Sequence, residues 1–225
     1  MTIPEGYYNK NRFDEFEAVA NQYASSIGVT VLKSIGDGNF GVAFITNQLK
    51  VIKVTIDPLE VVCAAKLLNK DLDNVAQIYD VKATSQYAVI HQELIKTLTD
   101  EEKHQFNQLE SKLSEAETSY ICLDIECTRD YGISFSEAEF LMAKQVHDSV
   151  NQVFGAGGKA YDVHDENVGW TRGKLVVFDQ KDLHVEPESC KNEYEEIVKE
   201  SGHWLNLTAE PTPEKSKLSR TFVPT

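Results

Sequence analysis

The alternation of apolar and polar residues along the chain predicts one helix followed by a series of short strands. Residues 13–27 place apolar side chains at helical spacing, and Gly28 ends the pattern. This seam consists of Phe13, Phe16, Ala20, Tyr23 and Ile27. Beyond Gly28, β-branched runs separated by turn residues predict strands at 29–32, 42–45, 51–54, 75–81 and 87–91. We therefore expect a five-stranded sheet with an N-terminal helix packed on it.

A helix-start signature lies between the third and fourth predicted strands. Asp57 is a typical N-cap, Pro58 suits the first helical position, and Glu60 stands at the third. The helix should continue to about Asn69. Glu60 shares its face with apolar residues, so its side chain should point inward.

The second half of the chain predicts three more helices. An exposed helix should turn Phe106, Leu109 and Leu113 inward, and an ambiguous strand-like piece follows at 120–123. Ser134 and Glu137 match a capping box for a helix that ends at Gly155. A last helix is expected near 192–200, and the proline-containing stretch from residue 208 predicts a flexible tail.

Composition narrows the class of protein. With 225 residues, 41% of them hydrophobic, the chain is long enough for a well-buried core. No run approaches the roughly 20 apolar residues of a membrane span, and the start lacks a secretory pattern, so we expect a cytoplasmic protein. Four cysteines form no C-x-x-C pair, which disfavours zinc and disulfides. A net charge of -14 disfavours binding to nucleic acids or anionic membranes and suits either a basic partner or solubility alone.

The candidate chemistry centres on Asp162, Asn167 and Asp179. Asp162 and Asn167 stand five positions apart, and a turn and a short apolar run then lead to Asp179. Phosphotransferases use this order to place one carboxylate at the attacking hydroxyl and two further groups on Mg²⁺. Each residue alone also fits a helix cap, a turn or a strand end, so the combination carries the interpretation.

A glycine-rich turn and a strand lysine provide the expected nucleotide contacts. Gly36, Gly38 and Gly41 match G-x-G-x-x-G, and a strand follows them where a dinucleotide-binding motif would open a helix. Lys53 lies in the next apolar strand and needs an anionic partner if it is buried, which the phosphates of a nucleotide would supply. An ordinary glycine turn and a lysine on an edge strand facing water are the alternatives.

Glu60 has two interpretations at this stage. Its carboxylate is expected either to pair with Lys53, as a helix glutamate does in kinases, or to bind the backbone amide of Asp57 in a capping box. The sequence does not choose between them.

In this order the motifs resemble the protein-kinase superfamily, in particular its compact atypical branch of short bacteriophage serine/threonine-protein kinases; aminoglycoside-phosphotransferase-like enzymes are more distant. The resemblance covers roughly residues 29–180 and includes a hinge-like Gln92-Glu93-Leu94. It implies an α+β fold with two lobes, a five-stranded N-lobe and a reduced helical C-lobe. The implied divisions are an N-terminal helical extension at 1–28, the N-lobe at 29–91, the hinge at 92–95, the C-lobe at 96–207 and the tail at 208–225.

The resemblance also implies an activity and its cofactors, ATP and Mg²⁺. Asp162 and Lys53 would be catalytic, and Asn167 and Asp179 would bind the metal. The nucleotide would contact the three glycines, Lys53, Glu60 and Glu93. The chain departs from the common pattern at Ala160-Tyr161, at His164 and at Gln180-Lys181, and its end is too short for an activation segment.

The expected function is therefore phosphoryl transfer to serine or threonine of a protein, with a basic host protein as the partner. Three alternatives stay open. A small-molecule kinase would use the same site, a pseudokinase would bind a host protein without turnover, and an acidic decoy would need no nucleotide.

Overall fold

An antiparallel sheet of five strands forms the centre of the fold. The computed structural model describes residues 12–38, 40–116, 133–158, 163–178 and 190–205. Its helices are α1 Phe13–Ser26, α2 Pro58–Leu67, α3 Asp100–Glu115, α4 Glu137–Gly155 and α5 Lys191–Ser201. Its strands are β1 Val31–Asp37, β2 Gly41–Thr46, β3 Lys50–Thr55, β4 Ile78–Ala83, β5 Ala88–Glu93, β6 Lys96–Thr97, β7 Val168–Thr171 and β8 Lys174–Val177. The protein is thus of the α+β class.

In both sheets, most neighbouring strands are also consecutive in the sequence. The large sheet has the order β1-β2-β3-β5-β4, with every neighbouring pair antiparallel, and α2 connects β3 to β4. The predicted five-stranded sheet is confirmed. A second, smaller sheet of order β6-β7-β8 begins directly after β5.

The core consists of two clusters of buried side chains. The smaller cluster lies between α1 and one face of the large sheet, where Phe16, Val19 and Tyr23 pack against Phe44 and Ile52. The larger cluster joins α2, β4 and β5 to α3, α4 and the β7–β8 hairpin. Apolar packing therefore continues across the predicted hinge at 92–95.

Side chains from α4 complete the outer edge of β8. The backbone N–H of Leu175 donates to Gln145 Oε1 at 2.6 Å, and that of Val177 donates to Ser149 Oγ at 2.9 Å. Because buried backbone amides need partners, polar residues on this helix face stabilise the strand that precedes Asp179.

Several predicted boundaries are wrong in detail. The capping box of α4 is Ser136 with Glu139, two residues later than predicted. Ile27 follows α1 and is exposed, so it does not belong to the apolar seam. Val75 precedes β4 and makes an isolated parallel bridge to Val177.

Other predictions agree with the structure or fall outside it. Phe106, Leu109 and Leu113 form the buried face of α3, as predicted. In the described part of the chain, no helix is long and apolar enough to cross a membrane. The predicted strand at 120–123 and the tail from 208 lie outside the described residues.

Candidate functional site

A cleft of about 620 Å³ brings together most of the described residues singled out from the sequence. Its walls come from the β1–β2 hairpin, β3, α2, the end of β5, the start of α3 and the segment 164–167. All seven described candidates line it: Gly36, Gly38, Gly41, Lys53, Glu60, Glu93 and Asn167. Residues more than a hundred positions apart in the chain therefore face one space.

The three glycines of the β1–β2 hairpin differ in why glycine suits their positions. A Cβ atom at Gly41 would lie 2.3 Å from the Val54 carbonyl oxygen, so the close approach of β2 to β3 requires glycine there. A Cβ atom at Gly36 or Gly38 would meet no heavy atom within 4 Å. Gly41 is thus needed by the sheet itself, whereas the other two leave backbone open toward the cleft.

Lys53 and Glu60 form an ion pair in the wall of the cleft. Lys53 lies on β3, between β2 and β5, opposite Ala43 on one side and Ile90 on the other. Its Nζ lies 2.5 Å from Glu60 Oε1, with the side chains 15% and 9% exposed. An edge-strand lysine facing water is therefore excluded for this position.

The structure favours the ion-pair interpretation of Glu60 over the capping box. Asp57 caps α2 through its own side chain, which accepts from the N–H of Leu59 at 3.0 Å. The backbone N–H of Asp57 donates to Thr55 Oγ1 at 3.1 Å. That amide has a partner in Thr55, and the Glu60 carboxylate is turned to Lys53.

Asn167 is buried at the other side of the cleft, where His164 orients it. Asn167 Nδ2 lies 2.8 Å from His164 Nε2, and the Asn167 N–H donates to the His164 carbonyl at 2.9 Å. His164 thus supports the loop by hydrogen bonding.

Helix α3 runs beside this loop and holds it. Asn107 Nδ2 donates to Asp165 Oδ2 at 3.3 Å. Burial raises the pKa of Glu110, an effect that His164 opposes and Asp165 reinforces. The Trp170 indole also donates to Glu102 at 3.0 Å, which fixes the following strand, β7, to the first turn of α3.

Glu93 lines the cleft, but its carboxylate is engaged inside the protein. It accepts from Thr171 Oγ1 at 2.5 Å and from the Gln77 N–H at 3.1 Å, and Arg172 Nε lies 3.4 Å away. Arg172 also donates to the Val75 carbonyl at 2.7 Å. Glu93 therefore connects the two sheets through its side chain, and its role as a nucleotide contact stays a prediction.

Lys103 is the cleft residue that sequence reasoning missed. It lies in the first turns of α3 and lines the cleft together with Thr97. Its signal was present, since Lys103 stands three residues before the inward-facing Phe106 and three-residue neighbours share a helix face. Because the sequence predicts α3 as an exposed helix, its pattern alone does not connect Lys103 with Lys53.

Asp162 and Asp179 lie outside the described residues. Within the described ranges, no group of three or more His, Cys, Asp or Glu side chains is placed to hold a metal ion. Neither the models of known protein families nor the curated proteins match this chain. Inference about its function therefore depends on the residues of the cleft and their order in the sequence.

Proposed function

We propose that this chain is an ATP- and Mg²⁺-dependent kinase that transfers the γ-phosphate to serine or threonine of a protein. The observation that carries the proposal is the Lys53–Glu60 pair, which faces one cleft with the glycine hairpin and Asn167. A lysine held by a helix glutamate under a glycine-rich hairpin is the arrangement that kinases use for nucleotide phosphates.

The strand order supports a kinase-like N-lobe. The sheet β1-β2-β3-β5-β4, with a helix between β3 and β4, agrees with the five-stranded N-lobe implied by the sequence resemblance. In this proposal the end of β5 is the hinge, and α3, α4 and the β7–β8 hairpin belong to a reduced C-lobe.

The proposed reaction assigns one task to each residue. Lys53 binds phosphate oxygens, and the backbone at Gly36 and Gly38 approaches them closely. Asp162 accepts the proton of the attacking hydroxyl, whose oxygen forms a bond to the γ-phosphorus while the bond to the β–γ bridging oxygen breaks and ADP leaves. Asn167 and Asp179 are the residues that would hold Mg²⁺, which when bound neutralises charge on the phosphates.

The charges around the cleft fit a metal-dependent nucleotide. Among the described lining residues, two are lysines, and six are acidic: Asp37, Asp57, Glu60, Glu93, Asp165 and Glu166. A polyphosphate alone would be repelled by this excess of carboxylates. Divalent cations would offset that repulsion.

The acceptor follows from the resemblance and from the charge of the chain. Short bacteriophage kinases, which the sequence resembles, suggest a host protein as substrate and the host cytoplasm as the location. A net charge of -14 supports a basic protein as the partner, because opposite charges accelerate encounter.

Incubation of the protein with γ-labelled ATP and cell extract tests the proposal. Label should appear on protein bands, and Asp162→Ala should lower transfer by on the order of 10² or more while ATP binding persists. The exposed Asp71 offers a matched control, Asp71→Ala, which should transfer normally. Unchanged transfer in Asp162→Ala would exclude the mechanism. Label on small molecules would identify a small-molecule kinase, and binding without any transfer a pseudokinase.

A further inference from the structure

Helix α5 lies near the C-terminal end of the described residues and packs against α2 and β4. Cys190 and Tyr194 are buried in the larger core cluster, and Ile197 and Val198 pack against the same cluster. Burial raises the pKa of the Tyr194 phenol to about 12, so its hydroxyl keeps its proton. That hydroxyl donates to the Thr84 carbonyl at 2.9 Å.

Polar contacts attach α5 and the residues after it to the end of β4. Ser201 Oγ accepts from the Ala83 N–H at 2.9 Å, and the Trp204 indole donates to the Ala83 carbonyl at 3.1 Å. Since β4 is the last strand of its sheet, α5 completes an edge that would otherwise lack partners here. Trp204 also meets Tyr23 of α1 edge to face, at 6.0 Å between ring centroids.

Helix α2 depends on neighbours on more than one side. Its buried residues include the unbroken run 59–64, and consecutive helical residues point in all directions around the axis. A helix that is buried all round needs cover on several faces, and one of only ten residues is not stable alone. The sheet covers α2 through β4 and β5, and α5 covers another side.

One ion pair connects α5 to α2 directly. Lys66 Nζ lies 2.8 Å from Glu193 Oε2, with the side chains 36% and 49% exposed. Lys66 stands on the same ten-residue helix as Glu60, roughly 9 Å further along its axis at 1.5 Å per residue. A shift of α2 at Lys66 is therefore transmitted to Glu60.

We propose that α5 positions Glu60 for its contact with Lys53, so that the C-terminal part of the chain controls nucleotide binding at the cleft. This inference rests on the proposed kinase function. Lys66, Glu193 and Tyr194 act as positioning residues, since they hold the helix that carries Glu60 and do not line the cleft. The kinase-like site is then incomplete without the helix that follows it in sequence.

A charge exchange across the Lys66–Glu193 pair tests this positioning role. Glu193→Lys and Lys66→Glu each place like charges together, and we expect each to weaken Mg-ATP binding roughly two- to fivefold. The double exchange restores the attraction and should restore affinity. Because both side chains are partly exposed, the single variants should still fold.

The matched control uses another exposed pair. Lys144 Nζ lies 2.6 Å from Asp148 Oδ2 on α4, with the side chains 50% and 33% exposed. Lys144→Glu causes the same change in net charge as Lys66→Glu but does so away from α2. It should bind Mg-ATP as the wild type does, whereas a general effect of charge would weaken both variants equally.

Two further measurements separate positioning from simple packing. In a Glu60→Gln background, Glu193→Lys should cause no additional loss of affinity, because residues that act through one contact are not additive. Hydrogen exchange of the α2 amides at 59–67 should be faster in each single variant and normal in the double exchange. A merely structural pair would give additive losses of affinity in the Glu60→Gln background.

The outcomes distinguish this inference from the proposed function. A wild type that binds no Mg-ATP overturns the kinase proposal and this inference with it. If the wild type binds Mg-ATP and Glu193→Lys matches it both in affinity and in hydrogen exchange of α2, only the proposed role of α5 is overturned. Failure of the double exchange to restore both quantities has the same meaning.

Discussion

Removing one partner of the Lys53–Glu60 pair should destabilise the protein more than removing both. In Lys53→Met the Glu60 carboxylate keeps its place in the wall of the cleft, where only 9% of its side chain is exposed, but loses the ammonium group 2.5 Å away. In Lys53→Met/Glu60→Met neither charge remains, and two apolar side chains of similar volume fill the space. Stability and catalysis should therefore separate in these two variants.

The magnitude follows from the burial of the pair. Breaking a buried ion pair by removing one partner costs about 3 to 5 kcal/mol, whereas apolar replacement of both is often neutral or stabilising. Since 15% of Lys53 is exposed, we take the lower end, about 3 kcal/mol, for Lys53→Met. For a chain of this size, that corresponds to a fall in Tm of about 6 to 12 °C. The double variant should return to within about 1 kcal/mol of the wild type.

Denaturant unfolding measures the stability of the three proteins, and labelled-ATP transfer measures their activity. The double variant should regain stability but remain inactive, because the ammonium group proposed to bind phosphate is missing. The free energy of unfolding of Lys53→Met could instead lie within about 0.5 kcal/mol of the wild-type value, which is less than the cost of breaking even a modest buried pair. The pair would then not be buried as described. If the double variant transfers phosphate normally, Lys53 is not part of the catalytic site.

Three more outcomes are expected. Gly36→Ala should fold normally and weaken Mg-ATP binding, whereas Gly41→Ala should destabilise the sheet itself, since its Cβ would lie 2.3 Å from the Val54 oxygen; circular dichroism melts and nucleotide titrations distinguish the two. Asp179→Asn should abolish the Mg²⁺ dependence of nucleotide binding measured by calorimetry, and retention of that dependence would exclude Asp179 as a ligand. Burial, and then Lys50, lower the pKa of His91, an effect that Asp80 opposes. Because the folded pKa is below the unfolded value near 6.5, stability should fall as pH decreases below about 6.5, by at most about 1.4 kcal/mol per pH unit. His91→Phe should reduce this slope.

The five-stranded sheet was predictable because its signals are local. Each strand is a short β-branched run bounded by turn residues, and Asp57-Pro58 marks the start of α2 between two of them. The inward direction of Glu60 followed from its helical face. The partner of Glu60 could not be predicted in this way. It depends on Thr55, whose hydroxyl accepts from the Asp57 amide, so that the Glu60 carboxylate pairs with Lys53.

The start of α4 shows why a local motif can mislead. Ser134 with Glu137 and Ser136 with Glu139 both match S-x-x-E, so the sequence offers two overlapping capping boxes. The second capping box, Ser136 with Glu139, is the one that forms, and α3 contacts it. Lys112 Nζ lies 2.5 Å from Glu139 Oε1 and 3.3 Å from the Ser134 carbonyl. A lysine on another helix thus holds both segments, and no pattern within α4 encodes it.

The position of α5 was also beyond the sequence. The sequence predicted a helix near 192–200, and the structure has one at Lys191–Ser201. The groups it binds, the Ala83 backbone at the end of β4 and the Thr84 carbonyl directly after it, lie more than a hundred residues earlier in the chain. Backbone atoms carry no sequence signature, so such docking is determined by packing of the whole core.

The charges of the cleft give a last test that does not depend on any single residue. Glu60 is paired with Lys53 and Glu93 with Arg172, but Asp37, Asp165 and Glu166 add negative charge to a lining whose second lysine is Lys103. Each phosphate on a nucleotide should therefore weaken its binding when no metal is present, so adenosine should bind better than ADP, and ADP better than ATP. Mg²⁺ should reverse that order, because it brings positive charge with the phosphates. If ATP still binds better than ADP, and ADP better than adenosine, when EDTA removes the metal, the lysines alone hold the phosphates. The acidic residues of the cleft would then need another role.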